Sequence, residues 1–508
     1  MNVLFITADQ WRGECLSRLD HPIVRTPNLD QLAKEGVQFT QHFVQATPCA
    51  PSRTSLHTGT YLFNHRCVVN GTPVASQLDN WAHRVRAAGY NPSLFGYTDT
   101  AIDPRGVAPS DPRLTHYSEP LPGLGDYTPI SSDVSVPWVE YLKDKGYSIP
   151  DFVYDLYKIQ SPGTPWRDGG EAPLPLAIDA EDHETHFMVD QCINWIGRQD
   201  RPWITHLSLF RPHPPFVAPA PYNAMYSPED IFSPTGHPSR QLQAEQHPFL
   251  AEALSQPRFG FDGDLPNLME LVAGYYGLMT EVDDNLGRLF EFLQRTNQWD
   301  QTLIIFTSDH GEQLGDHWLC SKLGFYDQSY LVPLIIRDPR KVSNSERGKR
   351  VVEFTESVDI MPTMLDWLSL EIPSQCDGYS LLPFIQQSRT PPGWRSEAHW
   401  EYDFRNVKSD GAEIILGMTP HQCHLGVIRS KQYKYVHFAA LPPLLFDLQA
   451  DPSELNNLAD NPDYQSVINE MQGKMLDWRM RYTQRGLTDT IYTSDGPVTW
   501  VQPVEHIA

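Results

Sequence analysis

Val3-Leu4-Phe5-Ile6-Thr7, reaching Asp9-Gln10, and Thr302-Leu303-Ile304-Ile305-Phe306-Thr307, reaching Asp309-His310, are the two stretches on which the fold of this chain turns. Each is a short unbroken run of apolar and β-branched residues, the pattern of a strand buried on both faces of a parallel sheet. Each also delivers polar side chains just past its carboxyl end, the edge where open α/β sheets bind ligands. Two more runs repeat the arrangement: Asn91 to Phe95 leads to Tyr97 and Thr98, and Trp203 to Phe210 leads to His213. Helical patterns lie between them. Pro27 to Gly36 is bracketed by Thr26-Pro27 at its start and Gly36 at its stop. From Leu268 to Gln294, Leu271, Tyr275, Leu278, Val282, Leu286, Leu289 and Leu293 recur at three- and four-residue steps. This alternation predicts an α/β fold with a large, mostly parallel sheet flanked by helices.

Residues 101–175, rich in Pro, Gly and Asp, and 211–240, with Arg211-Pro212-His213-Pro214-Pro215-Phe216, read as long irregular loops that serve as substrate walls. Beyond about residue 385 the character changes. His399 to Phe404, Leu425 to Arg429, Tyr433 to Phe438 and Leu444 to Leu448 predict a short antiparallel sheet with a turn at Ser430-Lys431, followed by a helix over 463–480. The division expected is a catalytic α/β unit at 1–385 and a smaller α+β subdomain with an extended tail at 386–508. Trp478, Tyr482, Tyr492 and Trp500 suit that tail to clasping a neighbour, which predicts a homo-oligomer, dimer or tetramer.

The chain has 508 residues, 40% of them hydrophobic, enough for a sizeable core. Thirty-nine basic against 63 acidic residues leave a formal net charge of −24, which excludes a general nucleic-acid binder and requires a local cationic island for any anionic substrate. No apolar run is long enough to span a membrane. The N-terminus lacks a basic region and a cleavage site and reads as a buried strand. Seven scattered cysteines without CxxC spacing argue against a disulfide framework and for a reducing cytoplasm.

Asp9, Gln10, Asp309 and His310 together offer oxygens and one imidazole, a donor set for a hard or borderline divalent cation. Cys49-Ala50-Pro51-Ser52-Arg53, continuing to Thr58-Gly59, places a cysteine at a helix start with Pro51 suited to the first helical position. Next to Arg53 a bare thiol there would be acidified. With these residues, Thr26 to Ala33, Asp309-His310-Gly311-Glu312 and Leu445-Phe446-Asp447-Leu448, the chain resembles the sulfatases of the alkaline phosphatase superfamily from residue 1 to about 460.

The resemblance implies that Cys49 is converted to formylglycine by a separate formylglycine-generating enzyme acting on the unfolded chain. The hydrated aldehyde attacks sulfur or phosphorus with one hydroxyl and expels the bound oxyanion through the other. It implies a metal held by Asp9, Gln10, Asp309, His310 and modified Cys49, with Arg53 neutralising the developing alkoxide. Lys322 and His213 would bind ester oxygens or protonate the leaving group, Asn70, Tyr97 and Thr98 would bind substrate, and His65 is the candidate base. Many sulfatases carry two aspartates at the first strand and Asp-Asn at the later one. Asp9-Gln10 and Asp309-His310 instead carry less charge and one nitrogen, which favours manganese over calcium or another divalent ion. The combination looks most like the phosphonate monoester hydrolase branch, whose small anionic substrates are phosphonate monoesters, phosphodiesters and often sulfate monoesters. The alternatives are an arylsulfatase and a two-metal phosphatase or mutase of the same superfamily.

Overall fold

The computed structural model describes all residues except 131–134, 160–173, 388, 407–410, 485–487, 489 and 500–508. The large sheet comprises β1 (Asn2–Ala8), β2 (Val37–Phe39), β3 (Ser93–Gly96), β4 (Tyr127–Pro129), β5 (Ile204–Leu209), β6 (Thr302–Thr307), β7 (Leu334–Arg337) and β8 (Arg350–Val351). Their order across the sheet is β8-β2-β7-β6-β1-β5-β3-β4. β6, β1, β5, β3 and β4 are mutually parallel, and β7 runs antiparallel to both of its neighbours. Every residue of β1 is buried, and its side chains alternate between two cores. Leu4, Ile6 and Ala8 face the core that contains α1 (Pro27–Glu35) and the long helix Leu265–Arg295; Val3 and Phe5 face Trp81, Val85, Met361 and Leu365.

The expected strands and helices are present with ends shifted by a residue or two. Residues 101–175 depart from expectation: they contain β4 and a helix, Val136–Asp144. β4 is three half-buried residues at a sheet edge, too short to show a period.

A second sheet orders Leu444–Asp447, Tyr433–Phe438, His424–Arg429 and Ala398–Asp403 antiparallel, then adds Ala46–Thr47 parallel to the last. It therefore draws strands from both sides of residue 385, and one of them ends two residues before Cys49. The helix Gln465–Tyr482 packs on this sheet. Trp478 and Tyr482 are buried against Tyr61 of their own chain, with ring centroids 5.0 and 5.2 Å away, rather than presented to a neighbour. Tyr492 is exposed on a terminal hairpin, and Trp500 lies outside the described residues.

A buried charge chain braces the 211–216 loop. Arg211 Nε donates to Glu184 Oε1 at 2.6 Å, while Nη1 donates to the carbonyls of His213 (2.7 Å) and Pro215 (3.0 Å). His183 lies between Glu184 (2.5 Å) and Glu281 (2.6 Å). Burial lowers the His183 imidazole, but Glu184 and Glu281 outweigh it and raise it from 6.5 to about 9. The folded chain thus keeps a proton that the unfolded chain releases. That stabilisation is complete below pH 6.5 and is lost as pH rises through about 9. Urea midpoints are expected to fall across this window. His183→Gln should flatten the fall and cost about 3 kcal/mol or more at its acidic end, where a buried pair is broken.

Candidate active site

Parallel β1, β3, β5 and β6 all end at one edge of the sheet, which brings Asp9-Gln10, Tyr97, His213 and Asp309-His310 to a common place. The helix α2 (Cys49–Thr58) enters there, buried along its whole length. It starts at Cys49 itself, two residues earlier than a Pro51 at the first position predicts. Proline is tolerated anywhere in the first turn because those N–H groups have no partner within the helix.

Arg53, 1% exposed, ties the edge together. Its Nε donates to Asp309 Oδ2 at 2.9 Å and its Nη2 to Asp9 Oδ2 at 3.0 Å, while Nη1 donates to Ser208 Oγ at 2.8 Å and the Tyr97 carbonyl at 3.0 Å. The guanidinium also stacks 4.2 Å above the Tyr97 ring, whose hydroxyl donates to Asp9. Arg53 and Tyr97 thus hold the carboxylates from behind.

In front of Arg53, ligand atoms of Asp9, Cys49, Asp309 and His310 all lie within 4.8 Å of one another. Asp9 Oδ1 is buried without a hydrogen-bond partner. His310 Nδ1 donates to the Gly311 carbonyl at 3.0 Å, which leaves Nε2 facing Cys49 Sγ at 3.2 Å. Burial and the nearby Lys322 lower this imidazole to about 3, so it is neutral. A neutral nitrogen with its other N–H anchored, two fixed carboxylates and an orphaned oxygen fit a divalent cation. Burial opposes ionisation of Asp9, yet the charged groups that face it, among them Arg53 and Lys322, hold it well below the usual range. The Cys49 thiol is pushed up by burial and Asp9, contrary to the acidic thiol expected, because carboxylates outnumber cations around it.

Gln10 stands beside this cluster. Its backbone N–H donates to Asp309 Oδ1 at 3.1 Å, its side-chain carbonyl accepts from Lys322 and its amide donates to Glu312. Lys322 is 7% exposed, and Cys49, Asp9 and Asp309 raise it despite burial, so the ammonium is the cationic island that the acidic composition requires.

His213 Nδ1 donates to the Pro214 carbonyl at 2.7 Å; burial and Lys322 lower the ring to about 3, leaving Nε2 as an acceptor. Asn70 Oδ1 accepts from Ala50 N–H at 3.0 Å and so caps α2. Thr98 Oγ1 pairs with Thr100 at 3.1 Å and lines, with Thr54 and His57, a cavity of about 250 Å³ beside α2. His65 Nδ1 accepts from Cys67 N–H at 3.1 Å and its Nε2 faces Ser55 Oγ at 2.9 Å, so both ring nitrogens are engaged within the segment around α2. Glu312, Ser208 and Asp99 are the residues missed. Glu312 lay in the quoted Asp-His-Gly-Glu run, and Asp99 one position past Thr98.

The sulfatase family model matches residues 1–370, and a model for the C-terminal part of N-sulphoglucosamine sulphohydrolase matches 315–481. The multifunctional alkaline phosphatase superfamily protein PehA of Trinickia caryophylli is 41% identical, with 96% of each chain covered. An arylsulfatase of Clostridium perfringens is 27% identical, again over 96% of each. The crystal structure of a phosphonate monoester hydrolase of Agrobacterium radiobacter superposes with a TM-score of 0.93 at 42% identity, covering 98% of this chain and 99% of that one. With its fold, the arrangement of its sheet edge and the extent of these matches, the chain belongs to the sulfatase family.

Proposed function

We propose that this protein is a metal-dependent hydrolase of singly charged phosphonate monoesters and phosphodiesters, with sulfate monoester activity beside it. The observation that carries the reading is the convergence of Cys49, Asp9, Asp309 and His310 on one point, with Lys322 beside them. The 42% identity to a phosphonate monoester hydrolase supports phosphonate esters ahead of sulfate; the 27% identity to an arylsulfatase makes sulfate the second reading. Among the described residues there is a single cluster of this kind, which supports one cation rather than the pair of a two-metal phosphatase or mutase.

Asp9, Asp309, His310 and position 49 would hold the ion, with Gln10 joining when its carbonyl leaves Lys322. Manganese suits two carboxylates and an imidazole better than calcium does. A divalent ion supplies Lewis acidity, and formylglycine at position 49 a geminal diol as nucleophile. The remaining work falls to side chains already in place. Arg53 keeps both carboxylates fixed and favours their ionised forms, Asp9 well below the usual range, Asp309 against the burial and the Asp9 charge that raise it to about 7. Lys322 carries a proton and a charge toward ester oxygens. His213, locked as an Nε2 acceptor, takes a hydrogen bond or a proton instead of giving one. The seven free cysteines support a reducing compartment such as the cytoplasm, and no helix among the described residues is long and apolar enough to cross a membrane. The exposed hairpin with Ile491, Tyr492 and Val498 supports a homo-oligomer.

Cys49→Ala is expected to lower kcat/KM for an aryl phosphonate monoester about a thousandfold or more. Mass spectrometry of the peptide spanning Cys49 should show an aldehyde, whereas a thiol alone in fully active protein would refute the formylglycine reading. Metal analysis should find about one ion per chain. After chelation turnover should vanish and return with manganese more than with calcium; full activity of metal-free protein would sink the metal role. Assayed side by side, an aryl sulfate should be turned over more slowly than an aryl phosphonate monoester, and the reverse would promote the arylsulfatase reading.

A further inference from the structure

Asp99 takes no part in the scheme above. It sits in the left-handed region (φ 51°) just past β3, with its Oδ2 3.7 Å from Arg53 Nε, the same nitrogen that donates to Asp309 at 2.9 Å. Its side chain is 11% exposed. It lies outside the group of converging ligand atoms, and no described residue donates a hydrogen bond to its carboxylate. A carboxylate from a third segment has been placed beside the one guanidinium that already serves two.

Building on the proposed activity, we propose that Asp99 is a specificity-determining residue, a fixed negative charge that makes this site accept ester monoanions and turn away dianions. The interaction of a fixed charge with a ligand scales with the ligand's charge, so Asp99 costs a dianion twice what it costs a monoanion at the same position. Burial keeps that interaction strong, since neither water nor salt screens it well. Phosphonate monoesters, phosphodiesters and sulfate monoesters carry one charge. Phosphate monoesters take a second with a pKa of about 6, and free phosphonates take theirs at somewhat higher pH.

The charged and titratable groups around Asp99 are Arg53, Asp9, Asp309 and Lys322, with Cys49, Tyr97, Cys67 and Tyr127 also within reach of its field. Burial lifts its carboxyl to about 7; Asp9 and Asp309 add to this while Arg53 and Lys322 oppose it. A cation held by Asp9 and Asp309 would cancel their repulsion and so favour the ionised form.

The probes are phenylphosphonate, a dianion at about pH 8, and its monomethyl ester, a monoanion with the same ring. In the wild-type holoenzyme the ester is expected to bind about tenfold tighter or more as a competitive inhibitor. Asp99→Asn, which the left-handed φ tolerates, should shrink that ratio about tenfold, mainly through tighter dianion binding. It should shift the kcat/KM ratio of an aryl phosphate to an aryl phosphonate monoester the same way. Equal inhibition constants in the wild type overturn the proposal, as does an unchanged ratio in Asp99→Asn of normal metal content and melting temperature. Asp99→Gly, which also accepts this φ, gives the same readout should the Asn variant misfold; misfolding of both assigns Asp99 a structural role and overturns the proposal. The same two affinities read as dissociation constants by calorimetry need no turnover, so failure to hydrolyse phosphonate esters would defeat the proposed activity while leaving this test intact.

Discussion

Arg53 is the contact on which the site depends. Asp9 follows β1, Asp309 follows β6, and both carboxylates would repel each other in a space closed to water. One guanidinium with under 2% exposure, delivered from α2, makes them tolerable together. The pairing is also geometric. Arg53 takes Oδ2 of each carboxylate; Asp9 Oδ1 is left 3.7 Å from His310 Nε2, while Asp309 Oδ1 accepts from the backbone N–H groups of Gln10 and His310. A lysine would supply the charge but not the fork, and the two oxygens would lose their common orientation.

That arrangement was legible in the sequence only in part. Asp9, Gln10, Asp309 and His310 could be read because each follows an unbroken apolar strand, and parallel strands must end on one edge. Cys49 and Arg53 could be read because their spacing within one helix is local. What Arg53, Tyr97 and Asn70 touch could not, since each partner comes from a segment tens or hundreds of residues away. Asn70 turned out to cap α2, and His65 to brace Ser55, because a short-range motif says nothing about where a ring points. Asp99 went unnoticed because a lone aspartate after Gly96-Tyr97-Thr98 has the look of an ordinary turn residue.

The fold follows the same division. β1 and β6 announce themselves through continuous hydrophobicity, whereas β4 is three half-buried residues at an edge, and the Ala46–Thr47 strand is two residues long. That short strand still matters. It joins the smaller sheet to the start of α2, so packing of Trp478 on Tyr61 and pairing of Thr47 with Tyr402 bear on where Cys49 stands. The C-terminal region is in this sense part of the mounting of Cys49.

Complete burial of α2 carries a consequence for how active molecules arise. No residue from Cys49 to Thr58 is open to a macromolecular visitor once the chain has folded. If position 49 requires enzymatic maturation, the window for it closes at folding, and a molecule that collapses too early stays inert for life. Specific activity in any batch would then record a race between two rates in the producing cell, and no later purification step could repair a lost one.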